Sequence, residues 1–157
     1  MFKNKLKTLL FALTLTLSTT VLSVQSMAQN LNCVQPLLFG EIARCGSTGT
    51  VTIHPDGTYT SSCVDVVFPP TEALCVVTQF LGLQNIVISV DTTSVSISNG
   101  SDNMTVDDFN IVSNGNGPTF VTNSTNTEVP IGATVTLSSS QGAGNYSGTF
   151  TISANYE

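Results

Sequence analysis

Four cysteines, at positions 33, 45, 63 and 75, and a single histidine, His54, are the residues of this 157-residue chain whose chemistry could do more than pack. A structural zinc site wants pairs at C-x₂₋₄-C spacing, and no two of these five residues stand that close. Nucleophilic hydrolysis wants a base beside a nucleophile, but there is no G-x-S-x-G and no Cys–His arrangement, and His54 belongs to the turn sequence His54-Pro55-Asp56-Gly57. Asp102, Asp107 and Asp108 could offer oxygens to a hard cation, yet the ligand rhythm of a calcium loop is missing, and a solvated strand edge accounts for them. Trp is absent and only three Tyr are present to stack on sugars. The Asn-x-Ser/Thr triplets at Asn99, Asn103, Asn123 and Asn145 are what this composition produces. The chain is therefore expected to be no enzyme, and no cofactor or metal is expected in it.

The chemistry left to the cysteines depends on compartment. Residues 1–28 have the three-part layout of a secretory signal: Lys3, Lys5 and Lys7, an apolar run over 9–24, then Ser26-Met27-Ala28. A transmembrane span is disfavoured by Thr14, Thr16, Ser18, Thr19 and Thr20 within that run. The first cysteine, Cys33, is too far from the cleavage point for a lipid anchor. Cleavage is expected before Gln29, leaving one domain over 29–157 with no membrane insertion. That domain keeps Arg44 alone against ten carboxylates, a formal charge of −9. Nucleic acid and anionic lipid need clustered cations, so neither is an expected partner. The periplasm, the cell surface or the extracellular medium is the expected location.

Export carries the cysteines into an oxidising compartment, where two disulfides are expected. Three pairings are open to four cysteines. The nested scheme is preferred because Cys45 and Cys63 flank a hairpin over 48–61, leaving Cys33 to tie the first strand to Cys75.

No helical period is sustained after the signal, whereas short β-branched runs recur between turn signals. Strands are predicted over 49–53, 58–62, 64–68, 75–80, 86–90, 94–98, 104–112, 119–121, 134–138 and 146–156, with a type I turn at 54–57 and a short helical turn at 71–73. Pro69-Pro70, Asn99-Gly100, Asn114-Gly115, Asn116-Gly117-Pro118, Gly132 and Gly142 punctuate them. Spacings near ten residues predict an all-β, immunoglobulin-like β-sandwich. The last strand carries the strongest pattern. Tyr146, Gly148, Phe150, Ile152, Ala154 and Tyr156 fall on one face, with Ser147, Thr149, Thr151, Ser153 and Asn155 on the other.

In order, Leu38-Phe39-Gly40, Gly49-Thr50-Val51-Thr52-Ile53 with Pro55-Asp56-Gly57, Met104-Thr105-Val106-Asp107-Asp108-Phe109, the run 129–137 and the run 141–150 resemble the domain of unknown function 4402 family. The early Cys with Phe39-Gly40, and the Gly-x-Tyr ending before an alternating strand, are similar to the spore coat protein U-like domain of archaic fimbrial subunits. Chaperone-usher subunits are also similar in having a glycine fourteenth from the C-terminus and a penultimate aromatic, here Gly144 and Tyr156. That resemblance implies a last strand that binds a periplasmic chaperone and later borders a groove filled by a like subunit's strand. Its physical basis is β-augmentation, in which unpaired backbone groups and an unfilled apolar face take up a partner strand.

A donor segment should be apolar and alternating, whereas 29–36 holds Asn30, Asn32, Cys33 and Pro36, and Pro cannot donate to a ladder. A bridge at Cys33 leaves only 29–32 free. The expected function is a structural subunit of a fimbria-like or biofilm-associated assembly. A monomeric secreted or periplasmic binding module is the alternative.

Overall fold

Val51 and Ile53 are buried while Thr50 and Thr52 beside them are half-exposed, and the same alternation recurs in 73–79 and 86–90. A period of two puts β-branched side chains into one face of a sheet and Ser/Thr into the other. The computed structural model describes residues 29–79, 84–111 and 117–156. The expected leader, the ends of the strands predicted over 75–80 and 104–112, and the Asn114-Gly115 and Asn116 turn signals lie outside the described residues.

The strands are β1 (Gln29–Gln35), β2 (Glu41–Arg44), β3 (Gly49–Ile53), β4 (Tyr59–Ser62), β5 (Val64–Phe68), β6 (Ala73–Gln79), β7 (Ile86–Val90), β8 (Ser94–Ser98), β9 (Asn103–Asn110), β10 (Thr119–Thr122), β11 (Asn126–Leu137) and β12 (Ile152–Tyr156). No helix occurs among the described residues. A seven-stranded sheet runs β1-β6-β11-β3-β4, with β9 joining β11 to β8; a second sheet runs β10-β7-β12, and β2 and β5 form a ribbon. Ile86 and Ile88 of the smaller sheet share one apolar cluster with Val51, Val77, Val129, Ile131 and Val135 of the larger. The fold is an all-β sandwich. Each of these side chains contributes about 1.5 to 3 kcal/mol by leaving water.

β11 is longer than the predicted 134–138. It runs through Pro130 and Gly132, pairing its first half with β6 and its second with β3 and β9. A Cβ on Gly132 would run into the Ile53 carbonyl, so this glycine serves close strand approach rather than ending the strand. The helical turn expected at 71–73 is absent. Thr71 instead exchanges backbone hydrogen bonds with Leu38, at 2.7 and 3.0 Å, and Ala73 opens β6. The 54–57 turn closes through the Gly57 N–H donating to the His54 carbonyl at 3.0 Å.

β1 and β2 lie outside the predicted strand ranges, although the bridge scheme places a first strand at Cys33. β1 is rich in Gln and Asn, poor strand formers, and it is held by its partner: Cys33 lies directly opposite Cys75 on β6 and is bridged to it. Cys45 and Cys63 form the second bridge, around the β3–β4 hairpin, so the arrangement is nested. Two such bridges belong to the chemistry of an oxidising compartment.

Candidate functional site

The C-terminal segment joins the sandwich in two steps. From Ile152 opposite Val90 to Tyr156 opposite Ile86 it pairs with β7. Upstream, only Ser147 is bridged, to Ser98 at the end of β8. Nine residues from Val90 to Ser98 face six from Ser147 to Ile152, and the three left over form the bend at Asp91–Thr93 where β7 passes into β8. The single strand expected over 146–156 is thus broken: the ladder is confined to β12, because the strand it follows changes sheets.

The predicted face survives the break. Tyr146, Phe150, Ile152, Ala154 and Tyr156 all pack against the core, while Gly148 is exposed. The Phe150 ring meets Phe109 of β9 with centroids 5.1 Å apart and planes tilted by 37°. The Tyr146 hydroxyl donates to the Gly142 carbonyl at 2.7 Å and accepts from Gln141 Nε2 at 2.8 Å. Gly144, at φ +153°, stands beside the Asn99 side chain. On the outer face Ser153 Oγ donates to the Asp91 carboxylate at 2.7 Å, and Ser89 Oγ reaches the same oxygen at 3.3 Å, tying β12 to β7.

β12 is the edge of its sheet and β1 the edge of the other, and among the described residues neither has a second strand partner. The two edges face each other across a seam. Gln29 Nε2 donates to the Ala154 carbonyl and closes the seam at one point. Leu31 on β1 and Ile152, Ala154 and Tyr156 on β12 are each packed against the core but only half-buried. Gln29 Oε1 and the Tyr156 hydroxyl oxygen are buried without a hydrogen-bond partner among the described residues. A buried polar atom left unpaired costs about 1 to 3 kcal/mol.

Residues 29–32 are not free, contrary to expectation. Gln29, Asn30, Leu31 and Asn32 pair with Gln79, Thr78, Val77 and Val76. Gln29 was not foreseen as a site residue, since nothing in its sequence context distinguishes it from the polar residues around it.

The remaining candidates are scattered. The Asp56 carboxylate is taken up by its own turn, accepting from Thr58 Oγ1 at 2.6 Å and Thr58 N at 3.0 Å, and the Thr58 hydroxyl first of all holds its pKa below the ordinary value. Asp107 is pushed up by burial and then by the neighbouring Asp108 charge. Two open clefts, of about 340 and 420 Å³, place Asp108 beside Thr92 and Thr93, and Asp107 beside Gln141 and Ser138. His54 lines neither.

A family model described as Domain of unknown function (DUF4402) matches residues 14–156. The chain belongs to this family. The DUF4402 match runs from within the expected leader to Tyr156, so it takes in both edges of the seam. Among curated proteins and among solved structures, none matches the chain.

Proposed function

We propose that this DUF4402 protein is an exported, non-catalytic structural subunit of a fimbria-like or biofilm-associated surface assembly, on an immunoglobulin-like sandwich, joined to its neighbours by β-strand complementation. The observation that supports this most is the seam: two sheet edges, β1 and β12, meet through the Gln29–Ala154 hydrogen bond, both carry half-buried apolar side chains, and Gln29 Oε1 and the Tyr156 hydroxyl are buried without a hydrogen-bond partner among the described residues. A strand laid there would satisfy backbone groups on both edges and remove apolar area from water, at about 25 cal/mol per Å². A periplasmic chaperone and like subunits are the proposed partners. The experiment compares the purified protein with and without boiling on detergent gels. Multimers that separate only on heating support the proposal, and monomer alone at high concentration counts against it.

One observation favours a second function, that of a monomeric secreted or periplasmic binding module. β1 is paired with β6 from Gln29 to Gln35, with a register shift between Cys33 and Gln35, and is bridged to it at Cys33, so the described residues hold no free donor strand.

A further inference from the structure

The loop between β8 and β9 holds an arrangement with chemistry of its own. Asn99 precedes Gly100, and the Asn99 side-chain oxygen accepts two backbone hydrogen bonds, from Ser101 N at 2.9 Å and Asp102 N at 2.7 Å. The Gly100 N–H donates to Ser98 Oγ at 3.0 Å. Gly100 has φ +93°, and no heavy atom lies within 4 Å of the place a Cβ would occupy. We propose that Asn99–Gly100 is a self-modification site, at which Asn99 loses its side-chain amide while the chain is folded.

The Gly100 backbone nitrogen attacks Asn99 Cγ. A new N–C bond forms, the nitrogen gives up its proton, and the Cγ–Nδ2 bond breaks with release of ammonia, which closes a five-membered succinimide. Water then adds to one ring carbonyl and opens the ring to aspartate or isoaspartate. The only co-reactant is water, and no electron is transferred. The Ser101 and Asp102 N–H groups stand where the Cγ oxygen acquires negative charge as the attack proceeds, so they stabilise the addition as oxyanion donors do. Solvent hydroxide takes the proton that the nucleophile must lose, and Ser98 Oγ, which accepts the Gly100 N–H hydrogen bond at 3.0 Å, holds that nitrogen in place for it. The bare Cα of Gly100 leaves the approach unobstructed.

The consequence lies in the terminal segment. Asn99 Nδ2 donates to the Ala143 carbonyl at 3.4 Å, and Ser98, one residue back, is the bridge partner of Ser147. Conversion replaces that donor by a carboxylate oxygen facing the Ala143 carbonyl, and the isoaspartate product also lengthens the backbone beside the bridge. The upstream half of the C-terminal segment is loosened while β12 stays paired to β7.

The test follows the full-length mature protein, folded and unfolded in urea, in the same mildly alkaline buffer, with peptide mass spectrometry at Asn99. The folded chain is expected to convert at a rate within about tenfold of the unfolded chain. A folded rate slower than that overturns the proposal, because a rigid turn without the activating contacts suppresses the attack. Ser98→Ala is the second measurement. It should slow conversion in the folded chain by about threefold or more and leave the unfolded chain unchanged, and equal rates in both variants overturn the role of Ser98.

Discussion

Ser98 and Ser147 exchange both of their backbone hydrogen bonds, at 2.9 and 3.0 Å, and these two bonds are the ladder contact between β8 and the C-terminal segment. Gly148 follows at once, and a Cβ there would lie 2.8 Å from Ile97 Cγ2 and 2.9 Å from the Ser96 carbonyl oxygen. Gly148→Val therefore forces the segment off β8, at a cost of about 1 to 3 kcal/mol, as overpacking does. Hydrogen exchange should show lost protection at Ser98 and Ser147, with β12 amides retained. Unchanged protection at Ser147 would count against this close approach.

The two disulfides should differ in what they contribute. Cys33–Cys75 spans 42 residues and Cys45–Cys63 spans 18. Loop entropy assigns them about 4 and about 3 kcal/mol. Replacing the first pair by Ala also frees the β1 edge, whereas Cys45 and Cys63 both lie on the exposed flank of a hairpin that keeps its ladder. Denaturant titration of the two double variants should show the larger loss for Cys33→Ala/Cys75→Ala, and the reverse order would contradict the stapling of β1.

The strands with a clean period of two were legible because burial and alternation are the same fact in a two-layer sandwich. β3, β5, β7 and β8 occupy the predicted ranges 49–53, 64–68, 86–90 and 94–98. β1 was not legible, since its order comes from a bridge and from a neighbouring strand rather than from its own Gln and Asn side chains. The break in the terminal segment was hidden for a related reason. Its own residues alternate without interruption, and the bend belongs to Asp91–Thr93 on the strand beside it. In the seam, Tyr156 stood out by pattern, while Gln29 is defined only by what the fold brings near it.

Asp107 and Asp56 should respond to pH in opposite directions. Burial raises Asp107 above its ordinary value of 3.8, so its contribution is present below 3.8 and is lost as pH rises through the raised folded value. Asp107→Asn should raise the melting temperature at neutral pH, with the gain shrinking at about pH 2.5. Thr58 lowers Asp56 below 3.8, so its contribution is present above 3.8 and is lost as pH falls through the lowered value. Asp56→Ala should lower the melting temperature at neutral pH and cost less in acid. Circular dichroism melts at the two pH values check both, and parallel pH trends for the two variants would refute the assignment.

Tyr156 separates folding from assembly more cleanly than any other seam residue, because its ring and its hydroxyl do different things. The ring packs on the core from β12, while the buried oxygen has no partner among the described residues. Tyr156→Phe keeps the ring and removes the unpaired atom, so the isolated domain should gain up to about 1 kcal/mol, read from denaturant unfolding. Tyr156→Ala removes the ring as well and should cost about 2 to 4 kcal/mol, at the low end for a half-buried aromatic. If a partner strand supplies the missing hydrogen bond, Tyr156→Phe should weaken assembly even as it stabilises the monomer. The heat-sensitive multimer should then appear at higher protein concentration than in the parent. A variant that is both more stable and assembles as well as the parent would show that the hydroxyl has no partner in the assembled state, and would remove Tyr156 from the complementation site while leaving its place in the fold intact.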